Sequence, residues 1–345
     1  MVTAPVEYAD IPTPSVWSRD SASRLPGHLS AMYPFESRWH VTAGGHRMHY
    51  IDEGWADGTG DGAGPADPVP VVCVHGNPSW SFLFRDVVAA LRPTRRVIAM
   101  DHIGCGLSDK PGDAAYGYRL ANRVDDLDGL IDTLVGPDTP VDLVLHDWGG
   151  MIGSAWAMRH RGRVRRLVAM NTAAFGLPPG RRLPVTLKLL KAAGPLAELM
   201  VRGGNAFAGL AAHGWATARP MPPDVRDGFL FPYRTWADRI ATLRFVQDIP
   251  LGPEDVSYAT VKAVDDAVAA GLYAGVPTFL LWGLRDFVFD AAFLAEWHRR
   301  LPHARVSAHE GAGHYVLEDL GARGVAEVAA HLTASAAGTV GAAAP

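Results

Sequence analysis

Cysteine is almost missing from this chain: two among 345 residues, Cys73 and Cys105. Two cysteines make no disulfide framework, so the fold has to be held by a packed core. Chains of about 300 residues bury roughly three quarters of their unfolded surface, which is core enough. No apolar run approaches the roughly 20 residues of a membrane span, which argues against a transmembrane segment. The start, "MVTAPVEYADIPTPSVWSRD", carries Pro, Asp and Glu where a secretion signal has a basic start and an unbroken apolar stretch. Blocks of like charge are also missing. The 32 Lys and Arg and 36 Asp and Glu leave a formal charge of -4, mixed along the chain, which gives no argument for nucleic acid or an anionic membrane as partner. The expectation is a cytoplasmic protein. "RHRGRVRR", 159–166, looks basic enough for nucleic acid but reads as a solvated helix end leading into a strand.

What is present is an alternation. "RWHVTAGGHRMHYIDEG" breaks at Gly-Gly between two β-prone runs and predicts a hairpin. The Gly, Asp and Pro-rich "WADGTGDGAGPADP", 55–68, predicts a mobile loop; its glycines match no dinucleotide fingerprint, since no strand leads in and no helix follows. Strand patterns in "VPVVCVHG", "RRVIAMDHIG", "PVDLVLHD" and "VRRLVAMNT" then alternate with helix patterns in "SFLFRDVVAALR", "RLANRVDDLDGLIDTLV" and "GGMIGSAWAMRHR". This rhythm predicts an α/β protein with a mostly parallel central sheet and helices on both faces. It stops near Asn171 and resumes with "VPTFLLWG" at 276, followed by a last strand in "ARVSAHEGAGH" and a final helix in "LGARGVAEVAAHLTA". We read an N-terminal extension at 1–32, a first core part at 33–172, an inserted helical cap at 173–270, a second core part at 271–333 and a disordered tail at 334–345.

Ligands of open α/β sheets collect beyond the carboxyl ends of the strands. Polar residues cluster at four such ends: His75, Gly76 and Asn77; Asp147 and Trp148; Asp286; and His314. "LVLHDWGG" has the form of a strand-to-helix elbow that presents a nucleophile, with Asp147 where a serine hydrolase carries its hydroxyl. Asp147, Asp286 and His314 follow the chain order nucleophile, acid, histidine. A zinc reading of "HEGAGH" fails, because His309 and His314 are five apart and two glycines oppose a helix. No metal and no cofactor is expected.

"HGNPSWSFLFR", "DHIGCGLSDKP", "HDWGG" and the Asp286 and His314 segments resemble the haloalkane dehalogenases of the α/β-hydrolase superfamily over roughly 33–332. The resemblance implies that Asp147 displaces halide to form an alkyl ester, that Asn77 and Trp148 hold the leaving halide and the oxyanion, and that His314, oriented by Asp286, activates the hydrolytic water. Three positions depart from the pattern. Leu145 replaces the small residue usual two places before the nucleophile. "AMNTAAF" carries no acid after strand six, so Asp286 serves. No cap tryptophan is needed as halide donor if Asn77 fills that role. "AMNTAAFGLPPG", "RGGNAF", "WADRIATLRFVQDIPL" and "GAGHYVLED" are similar to the β-lactone decarboxylases of bacterial olefin biosynthesis, and this likeness reaches into the cap. It implies the alternative that a cis-β-lactone is opened to a cis-alkene and CO2, with partner enzymes of a hydrocarbon pathway. Either substrate is small and apolar. Phe207, Trp215, Phe229, Phe231, Trp236 and Phe245 are the candidates to line its pocket. An epoxide hydrolase would need cap tyrosines as proton donors, for which Tyr233, Tyr258 and Tyr273 are available. A non-catalytic ligand-binding scaffold would be expected to have lost members of the triad.

Overall fold

The computed structural model describes residues 25–54, 67–192 and 194–334. Eight strands form one sheet in the order β1-β2-β4-β3-β5-β6-β7-β8. β1 (Arg38–Val41) and β2 (Arg47–Glu53) are the expected hairpin, and β2 runs antiparallel to β4 (Val97–Met100). All other neighbours are parallel: β3 (Val71–Val74), β5 (Val141–Asp147), β6 (Val164–Thr172), β7 (Thr278–Gly283) and β8 (Arg305–His309). The N-terminal and C-terminal ends of the chain and most of the 55–68 loop lie outside the described residues.

The two-residue period of a strand sorts the core. Val72, Val74, Leu143 and Leu145 face one apolar cluster, while Val71, Cys73, Val144 and Val168 face another on the opposite side of the sheet. Both faces are covered, so β3 and β5 are buried at every residue and read as near-continuous apolar runs. The first cluster is roofed by α1 (Leu120–Leu134), which turns Leu120, Val124, Leu127 and Ile131 inward at helical spacing, and by α2 (Trp148–Arg159).

α2 lies unusually close to the sheet. A side chain at Gly149 would collide with the Val74 carbonyl, and one at Gly150 with Thr172. One at Gly153 would collide with Leu145. The bulky residue two places before Asp147 is therefore accommodated by a glycine on the facing helix.

"RHRGRVRR" is not a solvated basic face. Arg159 pairs with Asp125 at 2.6 Å, and Arg165 and Arg166 converge with Arg95 on Asp142, buried at the start of β5. The segment's charge is largely spent in internal ion pairs.

Between β6 and β7 the chain leaves the sheet and builds a helical layer over the carboxyl ends of the strands. Its elements include Val185–Ala192, Gly194–Ala197, Ala206–Leu210, Pro223–Leu230, Ile240–Gln247 and Tyr258–Ala269. A further run over Glu198–Gly203 adopts the wider π-helical turn. Among the described residues no helix is long and apolar enough to cross a membrane.

Candidate active site

Asp147 ends β5 at φ 53° and ψ -127°, a conformation that L-residues avoid. The strain is held by what surrounds it. Thr172 donates its hydroxyl to the Asp147 carbonyl, and the approach of the β3 loop is close enough that a side chain at Gly76 would overlap the Asp147 carboxylate. The elbow drives the carboxylate out of the sheet and into the space beneath the cap.

Its two oxygens have different surroundings. Oδ1 accepts the Asn77 backbone N–H at 2.6 Å, and the Trp148 N–H also donates to the carboxylate. Oδ2 faces His314, with Nε2 at 3.6 Å. Burial pushes the Asp147 carboxyl up to about 6, opposed by the His314 charge and the two backbone N–H groups. It is ionised at neutral pH but held less firmly than an exposed aspartate.

His314 follows β8 on a loop that crosses the end of β7 so tightly that a side chain at Gly283 would strike the Gly313 carbonyl. Asp319 fixes this loop by accepting the Gly313 N–H at 2.7 Å and the cap's Ala218 N–H at 2.8 Å. His314 Nδ1 donates to Asp286 Oδ2 at 2.7 Å. Burial works against the imidazolium, but the Asp286 carboxylate beside it, its hydrogen bond and Asp147 raise the His314 pKa above its ordinary value. Burial likewise opposes the Asp286 anion, yet the His314 charge and hydrogen bond and the Val288 N–H bring it below the usual carboxylate range. Neighbouring His146 donates Nε2–H to the His314 carbonyl at 2.9 Å, and burial with the nearby His314 charge lowers it to about 3. Of the two imidazoles, His314 is therefore the one that takes up a proton first.

Asn171, at the end of β6, is a residue the sequence reading passed over. It has φ 38°, donates Nδ2–H to Asp286 Oδ2 at 3.0 Å and to the Gly283 carbonyl, and accepts the Gly283 N–H on Oδ1. The strand-six end that lacks an acid thus carries the amide that holds the acid from β7. Asn77 donates Nδ2–H to the Thr242 carbonyl at 2.9 Å, which ties its side chain to the cap and leaves the second amide hydrogen. The Trp148 indole is half-buried against Phe245, their rings 5.6 Å apart, and borders the cavity.

That cavity, about 280 Å3, has Asn77, Asp147, Trp148 and His314 at its base. Thr186 and the Trp215 indole are the other polar groups among its lining residues; the walls are mostly Leu, Val, Ile, Phe, Met and Ala. Of the aromatic candidates Phe207 and Trp215 line it. Phe229, Phe231, Trp236 and Phe245 do not. Phe229 is stacked on Tyr315 at 4.7 Å and edge-on to Phe82, inside the core. Phe231 is buried beneath the Arg234 guanidinium. Trp236 lies on the surface under Arg202, and Phe245 supports Trp148 from behind under Arg123. The lining comes instead from Phe175, Leu183, Leu187, Val246, Ile249 and the Phe287–Phe289 stretch. Leucine in "VTLKLLK" gives no sign of whether it faces a cavity or a core. Tyr233, Tyr258 and Tyr273 are all outside the lining; Tyr233 donates to the Ser79 carbonyl and Tyr273 to Ser154. An epoxide hydrolase's tyrosine donors are therefore not in place.

The family model for the alpha/beta hydrolase fold matches residues 69–319. A cis-3-alkyl-4-alkyloxetan-2-one decarboxylase of Shewanella oneidensis is 46% identical over 84% of this chain and 86% of that protein. One of Xanthomonas campestris pv. campestris is 45% identical over 80% of this chain and 88% of that protein. A haloalkane dehalogenase of Mycobacterium marinum is 32% identical over 80% of this chain and 85% of that protein. Among solved structures, a haloalkane dehalogenase from Bradyrhizobium elkani USDA94 superposes with a TM-score of 0.71 at 26% identity, covering 86% of this chain and 96% of that one.

Proposed function

We propose, from the premise that this chain belongs to the alpha/beta hydrolase fold family, that it decarboxylates cis-dialkyl β-lactones to cis-alkenes. The observation that carries this reading is the Asp147 carboxylate 3.6 Å from His314 Nε2, with Asp286 on the other ring nitrogen, at the base of an otherwise apolar cavity. The greater identity to the oxetanone decarboxylases than to the dehalogenases supports it, and reverses the order in which sequence resemblance alone placed the two reactions.

Asp147 Oδ2 is the nucleophile, since Oδ1 is held by Asn77. It attacks the ring carbon that bears the lactone oxygen. The C–O bond breaks, its electron pair stays on oxygen as a carboxylate, and an ester forms on Asp147 with inversion at that carbon. Backside attack places the new ester bond antiperiplanar to the bond to the freed carboxylate. That carbon–carboxylate bond then breaks: its electrons form the double bond, the ester oxygen returns to Asp147 as carboxylate, and CO2 leaves. Inversion followed by anti elimination keeps two cis alkyl groups cis. No water enters and no proton is lost. His314, held charged by Asp286, stabilises the carboxylate as the ring opens. Cytoplasmic location and partner enzymes of a hydrocarbon pathway belong to this reading.

Haloalkane hydrolysis is the second reading, supported by the same carboxylate and by Trp148 beside it. It needs His314 neutral to deprotonate water. Incubation with a cis-dialkyl β-lactone and gas chromatography of the products tests the proposal: cis-alkene from the wild type and none from Asp147→Ala is expected. Hydroxy acid or no product from the wild type would overturn it and leave halide release as the activity to assay.

A further inference from the structure

The cap stretches 183–192 and 194–202 each carry apolar side chains both inward and outward. Leu183, Leu187, Ala197 and Val201 are at most 5% exposed and pack with Leu243 and Val246. Val185 and Leu189 on the helix Val185–Ala192, and Leu196, Leu199 and Met200 on the turns that follow, are 45–71% exposed. Among the described residues nothing covers these outward side chains. Leu189 belongs also to the cavity mouth, where Leu177, Leu189, Leu210, Trp215 and Phe287 are each exposed and line the cavity.

Charge distinguishes what fits there. Residues 181–202 hold five cations, Arg181, Arg182, Lys188, Lys191 and Arg202, and one anion, Glu198, and the Asp290 and Asp255 carboxylates that reach in from outside this stretch reduce its surplus from four to two. Arg181 pairs with Asp290, Lys191 with Asp255 and Arg202 with Glu198. Arg182 and Lys188 are exposed and make no ion pair among the described residues. The mixed charge of the whole chain conceals this concentration.

We propose that this face of the cap rests on an anionic lipid surface. Val185, Leu189, Leu196 and Leu199 enter the boundary between headgroups and acyl chains, Arg182 and Lys188 reach the lipid phosphates, and Trp215 sits at the interfacial level that tryptophan favours. The cavity mouth then opens toward the acyl phase, from which a dialkyl substrate partitions and to which an apolar product returns. A protein partner on the same face would close the mouth; a fluid lipid surface does not. The association is peripheral, and it requires only that the ligand be apolar.

Sedimentation of the full-length protein with vesicles tests this without any substrate, so its failure is separate from failure of the lactone reading. Binding to phosphatidylcholine–phosphatidylglycerol vesicles, weaker on phosphatidylcholine alone and weakened by salt, is expected. Arg182→Gln with Lys188→Gln should lower partitioning about fivefold for each charge removed. Val185→Glu with Leu196→Glu and Leu199→Glu should abolish it. None of these five residues lines the cavity, so turnover of a short-chain substrate in free solution should be unchanged. A wild type that ignores anionic vesicles, or variants that bind them equally well, overturns the proposal. A triple variant that instead converts an oligomer to monomer, seen by light scattering, assigns the face to a second copy and overturns it as well.

Discussion

At the scale of single residues, the carboxylate of Asp147 is caught between two demands. Its chemistry needs the anion, and its burial resists it. Because its folded value of about 6 lies above the ordinary 3.8, the group contributes stability that is complete below about pH 4 and is lost as pH rises through 6. Asp147→Asn should therefore be more stable than the wild type at pH 8, by about 3 kcal/mol, and this gain should vanish toward pH 4 in paired thermal melts. Alkene formation should follow the opposite limb on the acid side. kcat/KM should fall as pH drops through about 6, where Asp147 takes up its proton, and fall again on the alkaline side above the raised His314 value, where the imidazolium is lost. Halide release would instead rise through the His314 titration. Asp147, Asp286 and His314 were legible because each follows a strand whose pattern is unmistakable. Asn171 was not, since an asparagine closing a strand looks like any chain-turning residue until Asp286 is seen against it.

At the scale of elements, the sheet was legible because its interior strands are β-branched runs with one-residue-in-two sorting to either face. The elbow depends on α2 lying close over β3 and β6, a packing that Gly149, Gly150 and Gly153 permit and that sequence shows only as a glycine cluster. The entry to β5 depends on Asp142, which is fully buried and accepts from Arg95 and Arg165. Removing its charge leaves buried guanidinium groups undercompensated. Asp142→Asn should cost about 3–5 kcal/mol in denaturant unfolding while the kcat of folded enzyme stays near wild type, because the substitution sits at the far end of the strand from Asp147. A large fall in kcat at unchanged stability would contradict that separation. The basic "RHRGRVRR" run was misleading for the same reason: a charge's partner, here Asp142, Asp125 or Asp67, is fixed by the fold and not by its neighbours in sequence.

At the scale of the whole molecule, the proposed reaction divides the labour between a sheet that fixes the reacting groups and a helical layer that measures the substrate. The strand rhythm of the sequence breaks where a run of helices lies between β6 and β7. The inner surface of that layer was legible only in part: Phe207 and Trp215 line the cavity, but Phe229, Phe231 and Phe245 went to packing and Trp236 to the surface, while leucine, valine and isoleucine took much of the wall. Chain-length preference should respond accordingly. Val246→Phe, which narrows the cavity beside Leu183 and Leu187, should reduce kcat/KM for long-armed lactones more than for short ones, by about fourfold for each methylene that no longer fits, since each is worth ~0.8 kcal/mol. An equal loss for all chain lengths would mean that the alkyl arms lie elsewhere.

The central claim is that Asp147 carries the reaction and that His314 assists without delivering water. The rate of cis-alkene formation from one cis-dialkyl β-lactone by the wild type, Asp147→Ala and His314→Ala tests it most directly. The account predicts no alkene from Asp147→Ala and, from His314→Ala, alkene formation slowed by about a hundredfold, the cost of losing one charge-stabilising donor, with no stable adduct on the protein. Alkene formed at the wild-type rate by Asp147→Ala would contradict it.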